Sequence, residues 1–263
     1  MSSDFFGQGG YAVRFDWGPA GAAATAANAA VIVDVLSFST SVCVACERGM
    51  AVYPFSWARG GGGAQHFADE RGAMLAVGRL EAVTTGGVMC PSLSPAGLLT
   101  CERVERLVLP SPNGSTIAAE LANTGAVVAI GCLRNAAATA RWISDQRVLG
   151  HTVAVIAAGE RWSDDGSLRP ALEDQLGAGA ILSALSRSSH ADAMSPEART
   201  AAALFDASGH VLTERLHDCV SGRELTARGF GADVVVAGDL NSSTAVPVLS
   251  GGRFEAAGWS IIR

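Results

Sequence analysis

Four short apolar runs in this sequence are each followed by a polar loop and by a segment typical of a helix. They occupy residues 30–33, 106–109, 126–130 and 153–157. Short runs rich in valine and isoleucine are typical of strands that are buried on both faces of a parallel sheet. Strands that alternate with helices imply a largely parallel sheet with helices on both faces. This pattern therefore predicts an α/β fold.

Further strands are predicted outside these four units. Residues 11–17 alternate between apolar and polar side chains, as in a strand with one face inward. Other segments with strand-like composition are residues 51–55, 74–77, 233–237, 246–249 and 259–262. A length of 263 residues suits one α/β domain over residues 1–263, or two intimately packed lobes.

Charge and composition exclude several classes of function. A net charge of -6 without a basic cluster argues against nucleic acid as a partner. No run approaches the roughly 18 apolar residues of a membrane span, and the N-terminus lacks signal-peptide features, so we predict a cytoplasmic protein with no membrane partner. All 19 basic residues are arginine, which excludes Schiff-base chemistry and the lysine of a P-loop. Arginine must therefore bind any anion.

The cysteines are scattered through the chain, at positions 43, 46, 90, 101, 132 and 219. This spacing is typical of buried thiols and indicates neither a zinc site nor a disulfide framework. Helices rich in alanine and glycine permit close packing between copies, so the sequence is compatible with a homodimer.

The first apolar run ends at Asp34, and Ser37 follows shortly before a predicted helix. In open α/β sheets, ligands bind beyond the carboxyl ends of the strands. Polar loops at residues 111–116 and 134–135 also lead into helices. Free N–H groups and the helix dipole at such N-termini suit an anion such as phosphate. Serine, threonine and asparagine are also ordinary N-caps, so the alternative is a capping role alone.

Two or three of four carboxylates could form a site for Mg²⁺ if they converge with room for water: Asp34, Glu160, Glu173 and Asp174. A hard cation prefers a few carboxylate oxygens and retains several waters. The alternatives are that Asp34 caps a helix and that Glu173 and Asp174 complement a helix dipole. Adjacent helical residues diverge by about 100°, so we expect only one of Glu173 and Asp174 to face a ligand directly.

Four arginines lie beside loop glycines or at strand ends and could bind an anion: Arg79, Arg134, Arg161 and Arg223. The alternative for each is a solvated surface guanidinium.

The motifs of this chain, in their order, resemble those of the magnesium-dependent 2-phosphosulfolactate phosphatases. The resemblance runs nearly end to end and rests on D-V-L-S-F-S-T (34–40), G-R (78–79), S-L-S-P (92–95), S-P-N-G-S-T (111–116), R-N-A (134–136), A-G-E-R (158–161) and L-E-D-Q-L-G-A-G-A (172–180). It implies a three-layer α/β/α fold with a largely parallel or mixed sheet, a Mg²⁺ cofactor, and hydrolysis of the phosphate ester of a small sulfonated hydroxy acid.

The resemblance also implies roles for individual residues. Asp34, with Glu173 or Asp174, would hold the metal and take part in catalysis. The phosphate and the other acid groups of the substrate would be held by Ser37, Arg79, Asn113, Ser115, Asn135 and Arg161. Either a metal-activated water or Asp34 itself could attack phosphorus. Leu36 replaces the second aspartate of the aspartyl-phosphatase D-x-D pattern, which favours water.

Two positions depart from the family pattern. Ser37 stands where the family usually has an arginine, and Gly78 stands where an acidic residue usually precedes the arginine that corresponds to Arg79. The loss of one cation and one carboxylate could change which anion fits. The alternatives are therefore a phosphatase for another small organic phosphate, and a non-catalytic anion-binding or regulatory protein.

Overall fold

A mixed sheet of nine strands lies at the centre of the computed structural model, which describes residues 5–56, 63–84 and 91–256. Its strands are β1 (Val13–Trp17), β2 (Ala29–Val33), β3 (Ala51–Ser56), β4 (Met74–Leu75), β5 (Arg106–Ser111), β6 (Val127–Gly131), β7 (Val153–Ala157), β10 (Pro247–Ser250) and β11 (Arg253–Ala256). The hairpin strands β8 (Glu160–Arg161) and β9 (Leu168–Arg169) form a separate pair. The order in the main sheet is β1-β7-β2-β6-β10-β11-β3-β5-β4.

The sheet contains two parallel groups that run in opposite directions. Strands β1, β7, β2 and β6 are mutually parallel, and so are β3, β5 and β4. Antiparallel pairing of β10 with β6, β10 with β11, and β11 with β3 joins the two groups. Neighbouring strands in a sheet are rotated by roughly 20–25° relative to one another. Over the five steps from β2 to β5 this rotation adds up to about 100° or more, so the carboxyl end of β5 can approach that of β2.

The described residues form twelve α-helices and three short 3₁₀ helices. The α-helices are α1 (Gly18–Thr25), α2 (Phe38–Glu47), α3 (Ala64–Asp69), α4 (Arg79–Thr84), α5 (Pro95–Thr100), α6 (Gly114–Ala122), α7 (Ala136–Val148), α8 (Leu172–Ser186), α9 (Pro196–Ser208), α10 (Leu212–Asp218), α11 (Val220–Ala227) and α12 (Gly231–Ala237). The 3₁₀ helices are Phe5–Gly7, Ala191–Ala193 and Gly209–Val211. No helix in these ranges is long and apolar enough to cross a membrane.

Helices cover both faces of the sheet, and β2 lies between the two resulting cores. Val31 and Val33 pack into the core formed with α7, α8 and α9. Ala30 and Ile32 point to the opposite core, which includes residues of α2 and α6. Alternate residues of a strand face opposite sides, so a fully apolar β2 fits this position. The predicted three-layer α/β/α fold with a mixed sheet is confirmed.

Two strand predictions need correction or lie outside the described residues. Residues 233–237 form the helix α12 instead of a strand. Val234 and Ala237 are buried while Val235 is exposed, which is the three-residue spacing of a helix face. The C-terminal strand pair is β10 with β11, and the predicted strand at residues 259–262 falls outside the residues that the structure describes.

The cysteines that the structure describes are buried free thiols at positions 43, 46, 101, 132 and 219. Cys90 lies outside the described ranges.

Close packing of α8 on β2 depends on Gly177. A Cβ atom at this position would lie 2.5 Å from Cγ2 of Val35 and 2.9 Å from Cγ1 of Val33. These two valines flank Asp34 in the chain, and α8 carries Glu173 and Asp174 in its first turn. The absence of a side chain at Gly177 therefore sets the distance between two segments that carry predicted site residues.

We expect Gly177→Ala to destabilise the protein by about 1–2 kcal/mol. Overpacking typically costs about 1–3 kcal/mol, and the better helix propensity of alanine offsets up to about 1 kcal/mol of this. Urea unfolding measures the difference, with Gly10→Ala as the control because nothing lies within 4 Å of a Cβ there. Equal stability of the two variants would contradict the packing argument.

Candidate active site

The carboxylate of Asp34 joins the N-termini of two helices. Asp34 follows β2 directly, and its Oδ1 accepts a hydrogen bond from Phe38 N at 3.1 Å. Its Oδ2 accepts from Gly114 N at 3.0 Å. Phe38 and Gly114 are the first residues of α2 and α6. Asp34 therefore caps both helices. Capping of one helix is the alternative role that the sequence suggests for Asp34, and the structure shows capping of two.

Gly114 is required for this approach of α6 to Asp34. A Cβ at Gly114 would lie 2.3 Å from Cδ1 of Phe38 and 2.9 Å from Oδ2 of Asp34. A side chain would therefore displace either the Phe38 ring or the carboxylate. The N-G dipeptide in the 111–116 loop has a steric function at this site.

Asp174 connects the loops that follow β2 and β7. Its Oδ1 accepts from Val35 N at 2.7 Å, and its Oδ2 accepts from Gly159 N at 2.9 Å. The side chain is buried at the start of α8. Both oxygens are therefore engaged in fixing backbone next to Asp34 and Glu160.

Glu173 is also buried, with a different partner. Burial and then the charge of Glu173 raise the pKa of the Cys219 thiol to about 12, and a hydrogen bond between the two side chains contributes to this shift. Among the described residues, the carboxylate of Glu173 accepts no backbone N–H of the kind that engages Asp174. Glu173 therefore has more hydrogen-bond acceptor capacity left than its neighbour Asp174.

Glu160, the first residue of β8, brings a fourth carboxylate to the site in the segment that follows β7. Its Oε2 accepts a hydrogen bond from Asn113 Nδ2 at 3.0 Å, and Asn113 is the N-cap residue of α6. Asn113 and Glu160 therefore lie together, and the charges of Asp34 and Glu173 act on the pKa of Glu160, so these predicted site residues lie near one another.

Burial raises the pKa values of Asp34, Glu160 and Asp174, and the charges of neighbouring carboxylates add to each shift. Burial, the largest cause, raises the pKa of Asp34 to about 6, with a smaller contribution from the charge of Glu173. The two backbone N–H donors and the charge of Arg79 oppose this shift. Burial and then the charge of Asp34 raise the pKa of Glu160 to about 7. Burial followed by the charges of Asp34 and Glu173 also raises the pKa of Asp174.

Burial disfavours the charged forms of these acids, and repulsion between neighbouring carboxylates adds to this effect. Within the part of the chain that the structure describes, no group of three or more His, Cys, Asp or Glu side chains is arranged to hold a metal ion. The predicted metal ligands Asp34, Glu173 and Asp174 therefore influence one another electrostatically without forming a complete ligand set of their own.

Of the four candidate arginines, Arg79 is the one whose charge acts on Asp34, while the charge of Arg169, on β9, acts on Glu160. Arg79 Nη2 donates to Ser37 Oγ at 2.5 Å, and its Nε donates to Asp233 Oδ2 at 3.0 Å. Asp233 is almost completely buried, and the sequence reading missed it because residues 233–237 were interpreted as a strand. The sequence did contain an indication of this role, because an acidic residue within a valine-rich segment is expected to be buried. A buried carboxylate then requires a partner.

Three residues predicted to bind substrate have other contacts in the structure. Asn135 accepts from Cys132 N and donates to Ile130 O and Ala245 O. Ser115 Oγ donates to Phe55 O at 2.9 Å and contacts Ser111 O. These two side chains are fully buried, and their contacts are with backbone groups. Arg161 is exposed on β8 and donates to Gly166 O at 3.0 Å.

The two remaining candidate arginines also lie outside the cluster. Arg134 is buried and pairs with Glu47 and Asp239, each at 3.4 Å. It holds the end of α2 against the segment that follows α12. Arg223 is exposed on α11. Of the four candidate arginines, only Arg79 combines an ion pair with contact to the loop that follows Asp34.

The family of this chain follows from a comparison with protein-family models. The model described as 2-phosphosulpholactate phosphatase matches residues 20–252, nearly the whole chain. The chain belongs to the 2-phosphosulpholactate phosphatase family. A search of curated proteins found no match. Members of the family are phosphatases, that is, phosphoric monoester hydrolases, and the matched range contains the carboxylate cluster, Arg79 and Asp233.

The raised pKa of Glu160 predicts a stability that falls as the pH rises. An exposed glutamate has a pKa of 4.5, whereas Glu160 titrates at about 7 in the folded protein. The folded state therefore retains a proton between these values that the unfolded state has lost, and stability decreases with rising pH through this window. Glu160→Gln removes this contribution and retains an oxygen that can accept from Asn113.

We expect the wild-type protein, in EDTA, to lose about 2 kcal/mol more unfolding free energy between pH 5 and pH 8 than Glu160→Gln does. Urea unfolding at both pH values measures this difference. Glu120→Gln, an exposed position on α6, is the matched control and should behave as wild type. An identical pH dependence in wild type and Glu160→Gln would exclude the buried-acid interpretation.

Proposed function

We propose that this chain is a Mg²⁺-dependent phosphatase that hydrolyses 2-phosphosulfolactate to sulfolactate and phosphate. The observation that carries the proposal is the position of Asp34, which accepts backbone N–H groups from the N-termini of α2 and α6 and whose charge acts on Glu160 and Asp174, in a chain of this family. Carboxylates that repel one another need a cation, and helix N-termini favour an anion such as phosphate. The proposed partner is therefore a small phosphorylated anion.

The chemistry of the donor set fits Mg²⁺. All four acids present oxygen, the ligand atom that this ion prefers, and Mg²⁺ sites commonly combine one or two carboxylates with waters and phosphate oxygens. We assign Asp34 to the metal because its charge acts on Glu160 and Asp174. Between the two acids of α8 we assign Glu173, because both oxygens of Asp174 accept backbone N–H groups and those of Glu173 accept none in the described part of the chain. Bound there, the ion would neutralise phosphate oxygens and lower the pKa of a water.

Residues of the chain would bind and orient the ester. Arg79 suits a phosphate or other acid oxygen because a guanidinium can donate two hydrogen bonds to one anion. Ser37 and Asn113 are N-cap residues of α2 and α6 and would lie beside the same group. Glu160, with a pKa of about 7, can hold a proton near neutral pH and would donate it to the oxygen of the leaving hydroxy acid.

Water attack is the better-supported route for Asp34. Each of its carboxylate oxygens accepts a backbone N–H from a different helix, so rotation toward phosphorus would break a capping hydrogen bond. We therefore propose that Asp34 positions the two helices and the cation, and that water attacks phosphorus.

The alternative substrate is another small organic phosphate. Ser37 replaces the arginine usual in the family, and its hydroxyl is already bonded to Arg79. Because this site has one cationic side chain fewer, it would suit an ester whose second acid group carries less charge.

We expect release of phosphate from 2-phosphosulfolactate in the presence of Mg²⁺ and none in EDTA. Asp34→Asn should lower kcat/KM at least about 100-fold, because it removes one negative charge and converts one acceptor into a donor facing an N–H group. Asp145→Asn is the matched control, since Asp145 is exposed on α7. The assay compares 2-phosphosulfolactate with phospholactate.

Each remaining outcome separates the candidate functions. Release from phospholactate alone would retain the phosphatase and replace its substrate. Full activity in EDTA would eliminate the cation from the proposal. Absence of release from either ester, together with stabilisation by inorganic phosphate, would favour the binding or regulatory protein.

A further inference from the structure

A buried aspartate outside the carboxylate cluster connects three helices. Asp233 lies near the start of α12 and has only 1% of its surface exposed. Its Oδ2 accepts from Arg79 Nε at 3.0 Å, where α4 begins. Its Oδ1 accepts from Ser94 Oγ and from Ala96 N at the start of α5. The ion pair with Arg79 therefore joins residues 154 positions apart in the sequence.

The contacts of Arg79 place its guanidinium at the edge of the carboxylate cluster. Nη2 donates to Ser37 Oγ, and Ser37 lies in the loop between Asp34 and α2. The charge of Arg79 also lowers the pKa of Asp34, which indicates that the two groups are close. The guanidinium carbon lies 5.8 Å from the centre of the Phe230 ring, so residues at and just before α12 contact Arg79 on two sides.

Arg79 retains hydrogen-bonding capacity after these contacts. A guanidinium has five N–H donors. Two are used by Asp233 and Ser37, and the other three have no partner among residues 5–56, 63–84 and 91–256. The fork of Arg79 is thus fixed at Nε and partly free at its outer nitrogens, which suits bidentate binding of an oxyanion.

Without Asp233, the guanidinium would lose the partner of its Nε, while the negative charge of Asp34, with which Arg79 already interacts, would still attract it. A long, flexible cation beside several buried acids is drawn into contact with them. Paired in that way, the guanidinium would occupy space between the carboxylates and would no longer present its free donors to an anion. Asp233 supplies a competing buried partner on the side of α12 and α5.

We propose that Asp233 is a positioning residue that holds Arg79 in place to bind an oxyanion of the phosphorylated substrate. This inference rests on the proposed function for the identity of the ligand. Asp233 acts through Arg79 and does not itself contact the ester.

The test is a double-mutant cycle on Asp233 and Arg79, with Mg²⁺ present throughout. We expect Asp233→Asn to raise KM for the phosphate ester at least fivefold, with a smaller change in kcat, and to weaken the binding of inorganic phosphate by a similar factor in calorimetry. Arg79→Ala should have at least as large an effect. The double variant should bind no more weakly than Arg79→Ala, because Asp233 acts through the arginine.

Two further variants separate positioning from folding. Ser94→Ala removes one hydrogen bond to Asp233 and the N-cap of α5 while it retains the ion pair, so KM should stay within about twofold of wild type. Arg79→Lys retains the charge but lacks the planar fork, and should raise KM at least fivefold even if Asp233→Asn fails to fold. A KM of wild-type value in Arg79→Lys, or additive losses in the double variant, would overturn the inference.

The two proposals fail in different ways. If the wild-type protein releases phosphate and Asp233→Asn has an unchanged KM, the positioning role is wrong and the phosphatase assignment stands. If no ester is hydrolysed but Asp233→Asn and Arg79→Ala weaken phosphate binding non-additively, the positioning role stands without the phosphatase. If the wild-type protein neither hydrolyses an ester nor binds phosphate, both are wrong.

Discussion

The hydrogen bonds from Phe38 N and Gly114 N to Asp34 are the contact on which the site depends. They link α2, which follows β2, to α6, which follows β5 in the oppositely directed group of strands. A buried carboxylate is costly without such donors, and two helix N-termini supply N–H groups and favourable dipoles together. The close approach also needs Gly114, since a Cβ there would collide with the Phe38 ring. One side chain thus fixes the junction between both halves of the sheet.

The charge balance around Asp34 explains why this junction suits phosphate chemistry. Three further acids lie close enough to affect one another, and the pKa values of Asp34 and Glu160 rise to about 6 and 7. One nearby cation, Arg79, is shared with Asp233 and therefore neutralises the cluster only in part. Under the proposed function, a cation held by Asp34 and Glu173 would relieve the repulsion and would supply positive charge to the phosphate ester on which this family acts.

The sequence predicted the local units of the fold better than their long-range partners. Apolar runs marked β2, β5, β6 and β7, and the position of Asp34 after β2 indicated the edge where the acids meet. The local pattern does not show that one group of parallel strands runs opposite to the other. It also does not show that Arg79 pairs with Asp233, which is 154 positions away in the sequence. The valine run in α12 resembled a strand because a short apolar run fits either structure. Only the spacing of the buried positions, every second residue in a strand or every third or fourth in a helix, distinguishes the two. The local pattern likewise does not show that the side-chain amide of Asn135 donates to two backbone carbonyls.

Remaining hydrogen-bonding capacity distinguishes residues that build this site from residues that can serve a ligand. Asp174 and Asn135 are as polar and as well placed in sequence as their neighbours, but the backbone engages their side-chain oxygens and, for Asn135, its amide hydrogens. Glu173, adjacent to Asp174 and equally buried, contacts a thiol, which is a weak donor. Arg79 keeps three N–H donors in the described part of the chain. Burying the acceptors of Glu173 costs free energy unless a ligand uses them, whereas Arg79 is partly exposed and can be reached from solvent. Under the proposed function, Glu173 would therefore serve the cation and Arg79 the oxyanion.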